Sequence, residues 1–348
     1  MPLPYGETVL TGEAGPGGLT PRPPALLASR PPALLAVLGA VCISCSAVLI
    51  KLAQTGFASA AFYRCLFALP LLVPLAVAEQ RRQGRRLPVT RAQTMAAGLL
   101  LAVDLVLWNH AIAAVGAGVA TVMGNLQVLF VALAAWALFR ERPGRAFLAA
   151  LPVVMVGVVL VSGLAGGAGG GTDPAAGIGY GVGTSLAYAA FLLVLRRASG
   201  RSPHVSGPLA DVTAGAVAGS LLLGLAFGGL EFTLPLDSLG WLLLLAVSSQ
   251  TAGWLLITSS LPRLPAAVSS LLLLLQPATA VLLAAAVLGE RPAASQLAGA
   301  VLICCGVLAV SRSVSPRRGL AHSGAERSAP AALPPPAGAP AGLDSGPL

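Results

Sequence analysis

The sequence predicts an all-α polytopic membrane protein with ten transmembrane helices, built as two inverted five-helix repeats. Three observations predict it. Hydrophobic residues make up 56% of the 348 positions and charged residues only 9%, against roughly 25% charged in a soluble domain. Apolar stretches long enough to cross a bilayer recur along the chain. A segment of the first half also reappears in the second at an offset of 149 residues, from Gln127 to Gln276.

Composition alone excludes several classes. With mean hydropathy +0.85, so little charge cannot coat a water-facing surface, and the exterior must meet lipid. The net charge of +9 does not imply nucleic acid, because the arginines fall between apolar runs and no recognition module accompanies them. Cys42, Cys45, Cys65, Cys304 and Cys305 all fall inside apolar runs, where cysteine behaves as a small hydrophobe. Cys42-Ile-Ser-Cys45 has redox spacing but lacks the solvent access thiol exchange needs.

Residues 1–32 and 312–348 are rich in Pro and Gly and too poor in apolar content to offset their ordering entropy, so both are expected to be disordered tails. The first lacks the compact charged-then-apolar plan of a cleavable signal, and the first apolar run is expected to stay as a helix. Between the tails the apolar stretches fall near 33–53, 58–78, 93–113, 117–139, 145–163, 177–195, 208–229, 240–261, 266–288 and 294–311. Each suffices to span a hydrocarbon core of ~30 Å as helix. Several connections are very short, which favours antiparallel neighbours.

Loop charge agrees with ten crossings. Arg81, Arg82, Arg85, Arg86 and Arg91 follow helix 2; Arg140, Arg142 and Arg145 follow helix 4; Arg196, Arg197 and Arg201 follow helix 6; Arg263 follows helix 8. The alternate loops carry Asp173, Glu231 and Asp237, with Lys51 and Arg291 their basic residues. The positive-inside rule then puts both termini in the cytoplasm. A composition biased toward Ala, Gly, Pro and Arg suits a bacterial inner membrane.

The repeat divides the chain into halves at 33–163 and 177–311, joined by a Gly-rich linker at 164–176. Gln127 through Arg140-Glu141-Arg142-Pro143 aligns with Gln276 through Gly289-Glu290-Arg291-Pro292. Five helices per half is an odd number, so the second half enters the bilayer upside down, with Glu141 inside and Glu290 outside. Inverted repeats of this kind are typical of secondary transporters.

The motifs Ala61-Phe-Tyr-Arg64, the segment from Trp108 to Val119, and Glu-Arg-Pro closing helices 4 and 9 resemble the paired EamA-type proteins of the drug/metabolite transporter superfamily. The resemblance covers about residues 33–311. It implies a ten-helix fold with a central cavity between the halves, and export or exchange of a small metabolite. Helix 9 carries Gln276-Pro277 whereas helix 4 carries Gln127-Val128, so proline supplies a reason for a kink only in helix 9.

Charges inside a bilayer are costly and call for a reason. Asp104, near mid-membrane in helix 3, lies one turn before Trp108; Gln250 of helix 8 lies one turn before Trp254. Both polar–Trp pairs are expected to line a shared substrate cavity, together with Asn109, Gln127 and Gln276. Polar contacts between helices are the competing reading. Asp104 is a candidate proton-coupling group, protons being then a partner, and a permanent pair with Arg64 is the alternative. Arg64 and Asp211 are candidate gate charges, with snorkelling and an interfacial position as their alternatives. Lys51 is read as a snorkelling anchor, and Glu141 and Glu290 as helix ends with interfacial pairing. Asn125 and Gln127 point about 160–200° apart on a helix, so Gln127, which has a repeat partner, is preferred. His110 is read as a packing residue. Gly215 and Gly219, Gly224 and Gly228, and Gly179 and Gly183 have the spacing of close helix contacts.

No P-loop, cofactor motif or metal-ligand set is present, and nucleophiles and bases do not converge, so an enzyme is not expected. The expected function is a secondary active transporter, an exporter or exchanger of an amino acid or amine working by alternating access. A sensor or assembly protein, or a lipid-modifying enzyme, is the alternative. The partners expected are a small-molecule substrate and the lipid bilayer, with a homodimer as candidate assembly.

Overall fold

In the computed structural model, residues 30–164, 173–200 and 204–314 are described. Most of the two expected tails, most of the Gly-rich join and Arg201 lie outside them. Among the described residues every regular element is a helix. They are α1 (Pro32–Ala53), α2 (Ala58–Gln83), α3 (Pro88–Gly116), α4 (Gly118–Phe139), α5 (Arg145–Val161), α6 (Pro174–Gly200), α7 (Ser206–Phe227), α8 (Leu236–Arg263), α9 (Ala266–Leu288) and α10 (Ala294–Ser313). Nine of these are long and apolar enough to cross a membrane. The exception is α5, whose 17 residues extend ~26 Å at 1.5 Å per residue.

Local chemistry sets the helix boundaries. Pro32 and Pro88 sit in the first turn of α1 and α3, where the missing N–H is no loss. α3 and α4 are separated at Gly116, whose φ of 83° and ψ of 159° suit a residue without Cβ. α4 closes on Arg140 (φ 57°) and α9 on Gly289 (φ 68°), both left-handed. These two residues are partners in the internal repeat, so both halves end this helix the same way.

The structure lengthens α2 to Gln83 and starts α3 at Pro88, where apolar patterning ends the one at 78 and begins the other at 93. The extra turns are polar, and hydropathy is blind to a helix that runs on past the lipid. They bring Glu79 into the protein interior, 9% exposed.

Two helices are broken at corresponding places. α9 is interrupted at Leu274, ahead of Pro277, which has no N–H to give. α4 is interrupted at Leu126 without a proline. There the Ser185 hydroxyl of α6 donates to the carbonyls of Met123 and Gly124, the latter at 3.1 Å, and Asn125 Nδ2 donates to Thr121 O at 2.7 Å. Side chains thus satisfy carbonyls near the break. In α8, residues Ala246–Gly253 form a π-helical segment containing Gln250.

Packing follows one pattern in both halves. α2 lies against α7 and α5 against α10; α1 meets α8 and α9, as α6 meets α3 and α4. Small residues let these helices approach. A Cβ on Gly98 of α3 would fall 2.1 Å from Val212 O, and one on Gly215 of α7 would fall 2.2 Å from Met95 O. Gly219 packs on Ala102 in the same seam. In α6 the tightest contacts belong to Gly177 and Gly181, against Val115 and Met123. Of the expected Gly179/Gly183 pair, Gly183 approaches Leu107, 3.1 Å from where a Cβ would lie, while Gly179 meets nothing within 4 Å among the described residues. A spacing of four recurs along α6, and only the neighbours decide which phase is buried. Gly228 likewise ends α7 instead of packing (φ 82°).

Candidate functional site

Arg64, Asp104, Gln250 and Gln276 come together where the two halves of the chain meet. Arg64 of α2 donates from Nε and Nη2 to Gln250 Oε1 of α8, at 3.1 and 2.9 Å. Gln250 is fully buried, and its Nε2 donates to Thr213 Oγ1 of α7 at 3.3 Å. The π-helical segment adds a residue to the turn and so alters which side chains face inward, a device often found at functional positions. Ser46 of α1 donates to the neighbouring Ser249 at 2.7 Å.

Asp104 of α3 is held from the other side. Thr184 Oγ1 of α6 lies 2.8 Å from Asp104 Oδ1 and 2.7 Å from its backbone carbonyl. Arg64 and Asp104 interact electrostatically, yet no ion pair joins them among the described residues. Each of these two charges of the first half is instead held by a neutral polar group of the second, Arg64 by Gln250 and Asp104 by Thr184. Tyr188, one turn beyond Thr184, sits within the field of both charges and faces the Gln276 side chain. Its ring adjoins Phe191 at 5.6 Å, and Phe191 meets Trp254 edge-on at 5.1 Å.

Other expected site residues fall around this cluster. Trp108 and Thr184 both lie against Gly124 of α4. Gln127 and Trp254 are 6% and 2% exposed, and among the described residues Gln127 Oε1 and Trp254 Nε1 have no hydrogen-bond partner. A buried polar atom without a partner costs free energy. Gln276 is half-buried.

Two expectations are corrected in their details. Asn109 does not join Asp104; it lines a separate cavity of ≈230 Å³ with His110, Ala61 and Ser220, because five residues along a helix turn the side chain well away from Asp104. Asp211 is not a free gate charge. Arg86 Nη1 lies 2.6 Å and Thr94 Oγ1 3.0 Å from its Oδ2, and Arg91 Nε lies 3.9 Å from Oδ1. This knot fastens α7 to the α2–α3 turn, and Glu79 strengthens it by accepting from Val205 N and Gly207 N at 2.7 and 2.8 Å. Both backbone groups lie at the start of α7, where a carboxylate is favoured.

The Glu-Arg-Pro ends form cross-links. Glu141 accepts from Arg196 Nη1 at 2.7 Å and from Ala266 N at 3.1 Å, and Arg196 also donates to Leu264 O at 3.0 Å. Glu290 pairs with Lys51 beside a cavity of ≈260 Å³ between α1, α9 and α10. In both halves, then, the glutamate after the broken helix reaches the first helix of the opposite half. Among the described residues no metal-ligating group of three His, Cys, Asp or Glu assembles.

Thr184, Ser185, Tyr188, Thr213 and Glu79 were not legible as site residues. Hydroxyls are too common in apolar helices to stand out, and Glu79 sits in what reads as a loop.

Comparison with known proteins places this architecture. No curated protein was found to match the chain. Solved structures do: 29 chains match, among them a protein crystal structure that is 18% identical, with a TM-score of 0.67, covering 80% of this chain and 98% of that one. At that identity the likeness concerns the fold. The sequence also matches the EamA-like transporter family twice, over residues 30–163 and 175–312. With most of its length so matched and its helices long and apolar enough to cross a membrane, the chain is a multi-pass membrane protein and belongs to the EamA-like transporter family.

Proposed function

We propose that the protein is a secondary active transporter that moves an amino acid or amine outward by alternating access between two inverted five-helix halves. The observation that carries the reading is the buried polar cluster between the halves, in which Arg64 and Asp104 of one half are held by Gln250 and Thr184 of the other. Two charges of opposite sign, held by neutral partners and flanked by Tyr188 and Trp254, suit the carboxylate and ammonium of a zwitterion. A polyanion would find Arg64 alone.

The repeated packing pattern supports the division into halves at 33–163 and 177–311, with α5 as the tenth crossing, and the arginines of the alternate loops support cytoplasmic termini. Neutral hydrogen-bond partners can exchange with solvent or substrate at less cost than an ion pair, which suits a centre that rearranges in each cycle. Asp104 is the proposed proton-coupling site, and a bacterial inner membrane is the proposed location.

Flux of labelled amino acids and amines into liposomes carrying the purified protein tests the function. Substrate-dependent flux, reduced at least tenfold in Arg64→Ala and Asp104→Ala, supports it. Binding without flux would indicate a sensor, and conversion of lipid an enzyme. Accessibility labelling at positions 141 and 290 tests the topology, because equal labelling from one side of the membrane would end the inverted arrangement.

A further inference from the structure

The glutamates that follow α4 and α9 are repeat partners, yet they are held very differently. Glu141 accepts from Arg196 Nη1 through Oε1 at 2.7 Å and from Ala266 N through Oε2 at 3.1 Å. Arg196 also donates from Nη2 to Leu264 O at 3.0 Å and from Nε to Leu261 O at 3.3 Å. The two side chains thus grip the turn between α8 and α9. Arg196 is 17% and Glu141 32% exposed.

Beyond the other end of α9, Glu290 has Lys51 as its one side-chain partner among the described residues. Lys51 is 64% and Glu290 44% exposed. The turn that corresponds to the gripped one joins α3 to α4, because Val115 and Gly116 match Leu264 and Pro265 at the same offset of 149. Among the described residues neither Lys51 nor Glu290 hydrogen-bonds to that turn. The ≈260 Å³ cavity lies beside the pair, walled by Ala47 and Val48 of α1 and by Ala280 and Ala284 of α9. An exposed ion pair contributes little, whereas charge-assisted bonds shielded from water are strong. The first clasp is shut and the second is loose.

α9 connects them. Its first residue, Ala266, is bound in the shut clasp, and Glu290 lies just past its last. Its 23 residues extend ~34 Å, so a tilt that draws one end inward swings the other outward. We propose that Glu141–Arg196 and Glu290–Lys51 are coupled gates at the two ends of α9, shut in turn, with the first shut and the second open in this structure. When the second shuts, Lys51 and Glu290 take hold of the α3–α4 turn as Arg196 and Glu141 hold the α8–α9 turn here, and the first lets go. The inference rests on the transporter reading and assigns its gates to residues outside the Arg64–Asp104 centre.

The test is the rate at which an uncharged, water-soluble maleimide modifies Ala284→Cys, in the cavity wall, in the full-length purified protein. The five natural cysteines of the parent supply the baseline. Adding Glu141→Gln should release the first gate, favour closure of the second and slow modification about fivefold or more. Adding Glu290→Gln should leave the rate unchanged or raise it. Loosening of a merely structural tie at the Glu141 end would not slow a reaction toward the far end of α9, so the sign of the change identifies a gate. A rate in Glu141→Gln equal to or above that of Ala284→Cys alone, or equal slowing by Glu290→Gln, would overturn the proposal. Should Glu141→Gln not be recovered as folded protein, Arg196→Gln carries the same test. Flux is measured on the same variants: slowed modification without any flux sinks the transporter reading alone, and flux with a rate indifferent to Glu141→Gln sinks the gates alone.

Discussion

Arg64 and Gln250 lie on different halves of the protein, and the guanidinium of the first makes a forked pair of hydrogen bonds to the amide oxygen of the second, at 3.1 and 2.9 Å. A buried guanidinium that loses its acceptor keeps its desolvation cost. Gln250→Leu, close in volume, should therefore destabilise the protein by about 2–3 kcal/mol. The fall appears as a lower midpoint in thermal unfolding of the purified protein. An unchanged midpoint would mean that water or another group already serves Arg64.

Asp104 meets Thr184 through one carboxyl oxygen and one backbone carbonyl, and Asn can accept in the same place. Asp104→Asn should thus fold normally while losing the ability to take and release a proton. Uptake driven by a pH gradient across vesicles should be abolished, and substrate exchange without a gradient should persist. A variant with the pH dependence of the parent would end the proton-coupling role of Asp104.

The Asp211 knot predicts the opposite pattern, a stability effect without a change in recognition. Arg86 and Asp211 side chains are only 5% and 10% exposed, and removing one partner strands the other. Arg86→Ala is expected to cost about 3–5 kcal/mol, while the KM for any transported substrate stays unchanged in the protein that remains folded. A large KM change with unaltered thermal stability would return Asp211 to the role of a gate.

Arg140 occupies the left-handed position that glycine fills at its repeat partner Gly289. A side chain there costs about 1–2 kcal/mol relative to glycine's freedom, and Arg140 is exposed, with nothing in the structure requiring its length. Arg140→Gly should raise stability by up to about 1 kcal/mol, read as a higher unfolding midpoint. A lower midpoint would show that the arginine head contributes more than the backbone strain removes.

Much of the architecture could be read before any coordinates, and particular residues show why. The apolar stretches and the repeat from Gln127 to Gln276 are properties of local composition and chain order. Asp104 and Arg64 stand out because ionised groups are rare inside apolar helices. Glu79 did not stand out, because hydropathy ends a helix where the lipid ends and not where the backbone stops. Asn109 was grouped with Asp104 on sequence proximity, and only the helical turn between them placed it in another cavity.

The sequence by itself determined that the chain is a helical membrane protein, where its apolar runs lie and which segments repeat, since each follows from transfer of short segments between water and lipid. Tertiary structure alone decided partnership: that Arg64 meets Gln250 and not Asp104, that Thr184 holds Asp104, that Asp211 is tied to Arg86, and that α4 breaks without a proline because Ser185 reaches its carbonyls. Those contacts join residues far apart in the chain, and the rotation and depth of each helix, which no local pattern encodes, select among many polar partners of equal chemical merit.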